Sequence, residues 1–358
     1  MRRKLGLRFM VALVLAALVG FGTVPRVYAA TLVVTTTADS GAGSLRQAIS
    51  DATSGDTITF NLPNPSTITL ASQLDIGKNL TITGPGASQL AISGNNAVRV
   101  FSVGTVAFTL ERVTVANGYG VGRCYSAGGG LLMTGGGSVT VRDSVFSGNQ
   151  AAGGFGCGGA IAKSGGSLAV SNTTFVNNRA EGLGGAIADV NNSVTVHDST
   201  FINNAASAGG GISMNNTTAT VSNSTFVGNT ASSNDGGGID VTSRSLTLTN
   251  STFVGNSVGV GFSQGVQTTI VNSTFFRNGV GIYGGDNSEA PRVRNTIVAE
   301  STGANCARVI IDEGYNISDD ASCPFTAATS RNSTDLRLDP AGLQNNAGAT
   351  QTVALSYS

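Results

Sequence analysis

The sequence predicts an all-β fold: a parallel β-solenoid of three sheets and about eleven coils, closed at its N-terminal end by a short helix. Two observations carry that prediction. The first is an internal repeat. Phenylalanines stand at Phe146, Phe175, Phe201, Phe226, Phe253 and Phe275, spaced by 29, 26, 25, 27 and 22 residues. Three places after each comes Asn149, Asn178, Asn204, Asn229, Asn256 or Asn278. Three places before comes Asp143, Asn172, Asp198, Asn223, Asn250 or Asn272, and five before an aliphatic residue such as Val196 or Leu248. Glycine clusters ending on isoleucine, such as Gly184-Gly185-Ala186-Ile187 and Gly236-Gly237-Gly238-Ile239, precede the central units. The second observation is periodicity. Runs such as Ser193-Val194-Thr195-Val196 and Ser245-Leu246-Thr247-Leu248 alternate polar and apolar residues, as half-buried strands do. No stretch between them has the length and 3.6-residue period of a crossover helix. Strands without helices, returning about every 25 residues, satisfy their backbones only by bonding to the coils above and below.

Each element then has a reason. Residues 1–29 form an expected export segment, with cationic Arg2, Arg3 and Lys4, an apolar stretch from Met10 to Val19, and Val27-Tyr28-Ala29 before the cut. Its removal leaves 15 basic against 20 acidic residues, a net charge of −5. Residues 30–56 form an N-terminal cap. There Ser44 and Gln47 make a capping box for a helix that gathers Leu45, Ala48, Ile49 and Ala52 on one face. The solenoid is assigned to residues 57–300, with early strands at Thr57–Phe60, Thr67–Leu70, Leu80–Thr83 and Phe108–Val115. The phenylalanines should face inward and stack along the axis, each burial contributing about 1.5–3 kcal/mol. The Asn and Asp residues before them fall at bends, where Asn accepts the left-handed region and bonds neighbouring backbone. Asn172, Asn223, Asn250 and Asn272 also match the glycosylation sequon, but their recurrence at one repeat position marks them as a structural ladder. Val298 takes the phenylalanine place in the last unit, and residues 301–358 form an irregular C-terminal cap.

Composition narrows the function. Fifty glycines with only seven prolines fit no collagen, and a mean hydropathy of +0.14 is too high for a disordered linker. The formal charge is zero and no basic stripe appears, so a nucleic-acid partner is not expected. No segment of the expected mature chain is long and apolar enough to span a bilayer. No metal or other cofactor is expected, with one histidine and no C-x-x-C pair. Four cysteines in an exported chain suit two disulfides. Cys124 and Cys157 lie ahead of successive glycine clusters that should stack, so the expected pairs are Cys124–Cys157 and Cys306–Cys323.

With those residues in hand, the chain resembles bacterial right-handed parallel β-helix proteins of the pectin-lyase-like class. Its Gly-Gly-Ala-Ile and Phe-x-x-Asn pairs, such as Gly184 to Ile187 with Phe201 and Asn204, are similar to polymorphic outer membrane protein repeats. Val34 to Gly41 followed by Ser44-Leu45-Arg46-Gln47-Ala48-Ile49 is similar to the N-terminal motif with a C-S-L-R-E-A signature, Gly43 and Gln47 replacing its cysteine and glutamate. The tail from Asn305-Cys306 through Cys323 to Thr350 resembles the end region of choice-of-anchor Q proteins, which usually continues further. The right hand also follows from the rule for parallel crossovers.

The resemblance brings both lyases and glycosidases into view, so carboxylates matter. Asp235 and Asp240 flank Gly236 to Gly238 across one bend and make the best acid pair. His197 adjoins the ladder residue Asp198, Asp319-Asp320 falls in a loop, and Lys163, Asp189, Asp240 and Arg244 lie scattered over different coils. The expected function is therefore a non-catalytic exported protein, extracellular, on the cell surface or in the outer membrane, that binds extracellular polysaccharide, matrix or a cell-surface partner. The alternative is a polysaccharide lyase or glycoside hydrolase.

Overall fold

A computed structural model describes residues 29–124, 126–232, 235–262, 266–284 and 290–356. The export segment predicted over 1–29 lies, Ala29 apart, outside the described residues. The chain winds into a parallel β-solenoid with three faces. One face is an eleven-stranded sheet built from three-residue strands such as Thr174–Val176, Thr200–Ile202 and Thr225–Val227, paired in parallel register. The other two belong to one nineteen-stranded sheet that bends along its length. Strand Ile187–His197 shows how: Asn191 and Asn192, at φ of 68° and 74°, carry the chain around the corner without breaking the strand. Asn216 and Arg244 hold the same corner in the next two coils, at φ of 55° and 76°. A third, five-stranded sheet of short strands links the phenylalanine face to the glycine clusters.

The phenylalanine column fills the interior. Phe175, Phe201, Phe226, Phe253 and Phe275 stack with ring centroids 4.6 to 4.8 Å apart, and Phe146 extends the stack at 5.2 Å. At the bend before each, Asp143, Asn172, Asp198, Asn223, Asn250 and Asn272 take φ between 44° and 54°, the left-handed conformation that Asn and Asp tolerate best. Asn223, Asn250 and Asn272 each donate from Nδ2 to the coil before, at 3.1 to 3.2 Å, in an exposed ladder. A second ladder lies inside. Asn178, Asn204, Asn229 and Asn256, all buried, each donate to the Oδ1 of the next ladder asparagine and to a carbonyl in the preceding coil.

The ends depart from the sequence pattern in three places. The first strand, Thr31–Val34, already pairs with Thr57–Phe60, and helix Leu45–Asp51, capped by Ser44, is inserted between them. The strand expected over Phe108–Val115 divides into Ala107–Glu111 and Thr114–Ala116, because Arg112 takes the bend position at φ 59°. Past residue 300, Cys306–Ala307, Ile311–Asp312 and Ile317–Ser318 add one more strand to each face. A hairpin of Leu338–Gln344 and Thr352–Leu355 then folds back over the outside of the phenylalanine sheet, packing Leu338 on Phe276 and Ala299. Disulfides join Cys124 to Cys157 and Cys306 to Cys323.

Candidate functional site

Asp240 sits between inward-facing Ile239 and Val241, in an outward row that reads Ala162, Ala188, Ser213, Asp240, Gly261 on successive coils. Small residues fill that row in these coils, where each glycine loop folds back over its own strand, although Leu132 occupies it one coil earlier. A Cβ on Gly236 would strike the Ile239 carbonyl. Asp240 therefore places a carboxyl where its neighbours place a methyl or hydroxyl, and it is buried. The Ser213 hydroxyl donates to its Oδ2 at 3.1 Å. Loss of water, reinforced by the negative charge of Asp235, pushes the Asp240 carboxyl up to about 7. The two predicted carboxylates are thus brought together. A shallow groove of about 410 Å³ over the short strands holds Arg179 and Glu181, and Asp240 does not line it.

The remaining ionisable candidates divide. His197 is exposed, its Nδ1 2.9 Å from Asp198 Oδ2, and that contact holds the Asp198 carboxyl below its usual range. Asp319 and Asp320 bind backbone and side chains of the last coil: Asp319 accepts the Glu300 N–H at 2.9 Å and Asp320 the Asn305 N–H at 3.1 Å. Arg244 donates to Asn216 at the corner, 2.6 Å away. Lys163 and Asp189, expected to be scattered, are register partners and form an ion pair inside the solenoid with no side-chain exposure. Their common offset from Gly159 and Gly185 was the available signal. Among the described residues no group of three or more His, Cys, Asp or Glu side chains is placed to hold a metal.

The most regular exposed feature is polar and uncharged. On the second face of the large sheet, inward aliphatic residues alternate with three outward columns. Ser167, Ser193, Thr218 and Ser245 form the first, Thr195, Thr220, Thr247 and Thr269 the second, and Ser171, His197, Ser222 and Thr249 the third. The β-sheet sets the grid, about 4.8 Å between coils and about 6.8 Å between columns. Thr195, Thr220 and Thr247 are exposed. From Ser167 to Val271 no lysine, arginine or carboxylate enters these columns. The signal was the polar half of each alternating strand.

A family described as the right handed beta helix region matches residues 75–246, and the fold is that of a right-handed β-helix. Solved structures similar to the chain include Geobacillus virus E2 ORF18, at 13% identity and a TM-score of 0.39, over 84% of this chain and 60% of that one. A mutant of the PL6 family alginate lyase AlyGC is similar at 13% identity and 0.35, over 86% and 54%. The A-module of the Azotobacter vinelandii mannuronan C-5 epimerase AlgE6 is similar at 17% and 0.35, over 81% and 89%. The chain thus spans less than two thirds of the length of the first two, and at these identities the likeness is one of fold. No curated protein matches the sequence.

Proposed function

We propose that this chain is a non-catalytic exported β-helix that binds extended, neutral polysaccharide through its Ser/Thr face. The observation that carries this reading is the grid of hydroxyls, repeated on consecutive coils of a rigid sheet. An extended glycan chain presents hydroxyls in a regular row, each able to donate and accept. A single such hydrogen bond is worth about 0.5–1.5 kcal/mol net, so affinity must come from many made at once on a preformed surface. The absence of charge from the central columns favours a neutral polymer over a uronate. The net charge of −5 expected after export points the same way. Placement outside the cell rests on the N-terminal segment, and the resemblance to outer membrane protein repeats and to the choice-of-anchor Q tail supports it.

Co-sedimentation of the mature protein with insoluble neutral polysaccharides, run beside a reducing-sugar assay, tests the proposal. Binding without sugar release is expected, and Thr195→Val, Thr220→Val and Thr247→Val together should abolish the binding. The second reading, a polysaccharide lyase or hydrolase, is favoured by Asp240, a carboxyl protonated near neutrality beside a second acid. Cleavage of any polysaccharide that Asp240→Asn removes would establish that reading and displace the first.

A further inference from the structure

Lys163 and Asp189 are the one pair of opposite charges enclosed in the interior among the described residues, and nothing in the binding reading uses them. Their inward row reads Met133, Lys163, Asp189, Met214 on four successive coils, so an ammonium and a carboxylate stand where the coils on either side place thioethers. Both methionines are fully buried. Parallel pairing sets the two residues directly opposite each other, and the Lys163 Nζ donates to Asp189 Oδ1 and to the Asn191 carbonyl at 2.6 Å. The other carboxylate oxygen, Oδ2, is buried with no hydrogen-bond partner among the described residues.

We propose that Lys163 and Asp189 are a modification site, where an amide forms between Nζ and Cγ and links two consecutive coils covalently. The chemistry balances with no outside reagent. Proton transfer within the ion pair gives an amine and a carboxylic acid. The Nζ lone pair attacks Cγ, the Nζ–Cγ bond forms, one Cγ–O bond breaks, and the departing oxygen leaves as water with the two protons lost from nitrogen. Three features of the site promote this. Burial pushes the Asp189 carboxyl above its usual range against the pull of Lys163, toward the protonated acid that the reaction needs. The Asn191 carbonyl fixes the direction of the amine. Holding nucleophile and carboxyl in lasting contact supplies the effective concentration that the reaction lacks in solution. The product replaces two buried charges and an unpartnered oxygen by one neutral amide.

Intact mass spectrometry of the purified, denatured protein reads the outcome. After allowance for two disulfides, the expected mass is that of the sequence less one water. Tryptic mapping should show no cleavage after Lys163 and a branched peptide joining it to Asp189. Lys163→Met, which continues the methionine row, should restore the full mass. A wild-type mass with no water lost overturns the proposal. So does a water loss that maps elsewhere, for instance to an imide at Asp235-Gly236, and survives in Lys163→Met. Because the readout is mass, it does not depend on whether the variant folds or binds any glycan.

Discussion

One inward column runs the length of the phenylalanine face, and its two halves solve the same packing problem differently. In the N-terminal coils it holds Ile68, Ile92 and Val115. From the next coil it holds six phenylalanines, followed by Val298 and Ser318. What changes with it is the residue facing it across the coil. Val100, just before the strand that pairs with Leu131, is a full-sized buried side chain in the Val115 coil. In the phenylalanine coils that place goes to Gly130, Ala160, Ala186, Gly211, Gly238 and Gly259. A Cβ on Gly211 would stand 3.1 Å from the Phe226 ring, and one on Gly259 2.7 Å from Phe275. A phenylalanine and a glycine or alanine opposite it are therefore one unit split over about fifteen residues of chain, and the glycine clusters are there for volume as well as for turning. Close packing leaves no room beside the ring for a side chain as large as Val100.

That contrast is easiest to break from the aromatic side. Phe226→Ala should cost about 3–5 kcal/mol, because the glycine opposite cannot fill the void, while Ile92→Val in the aliphatic half should cost about 0.5–1.5 kcal/mol. Urea denaturation of both variants checks the pair. Equal losses would mean that the stack relaxes around the gap.

The two asparagine ladders sharpen the same comparison between inside and outside. Asn204→Ala removes the acceptor for the Asn178 amide and the donor to the Phe175 carbonyl, both buried. Each orphaned group costs about 1–3 kcal/mol. Asn223→Ala on the exposed ladder should lose about 1–2 kcal/mol, chiefly because alanine resists φ of 49°. Asn223→Gly separates that strain from the lost hydrogen bond, and thermal melts of the three variants rank the terms.

The sequence shows both ladders as recurring columns, one of Asn and one of Asn or Asp, but not which of them is buried. Asn at three places before and three places after phenylalanine looks alike in one dimension. Burial is decided by the side of the strand on which each residue falls. The phenylalanine core, the helix cap and Ser44 were legible because they rest on local spacing. Lys163 with Asp189 required aligning two coils at equal offset from their glycines, and the role of Asp240 required seeing it as an odd member of a row of Ala and Ser. The C-terminal hairpin had no repeat to register it. Its place is fixed by contacts far apart in the chain, such as the Thr225 hydroxyl donating to the Gln351 carbonyl at 2.7 Å.

Asp240 supplies a pH test of the smaller irregularities. Its carboxyl is raised in the folded chain from 3.8 to about 7, so the folded state holds a proton that the unfolded state has released. The contribution to stability is full below about pH 4 and falls as pH rises to about 7, after which the curve levels. The slope in that window should approach about 1 kcal/mol per pH unit for this single group. Asp240→Asn, which keeps the Ser213 contact and carries no charge, should flatten the curve and leave the protein more stable at neutral pH. Denaturation at pH 4, 5.5 and 7 measures it, and an unchanged slope would show the carboxyl to be ionised in the folded chain.

The smallest expected effect is on the hydroxyl face, and its smallness is what makes it informative. Thr195, Thr220 and Thr247 project outward from strands whose inward neighbours, Val194, Val196, Val221, Leu246 and Leu248, carry the core. Replacing the three threonines by valine keeps β-branching and strand propensity while removing the hydroxyls. Each change should move stability by no more than about 0.5 kcal/mol, since each lies outside every buried network. If stability falls by several times that amount, the hydroxyls are part of the fold and the face is structural like the ladders. If stability holds and binding to neutral polysaccharide is lost, the face separates from the core that displays it. That outcome places the glycan-binding role on the outward columns, because the phenylalanine column, the ladders and the glycines have their explanation in packing.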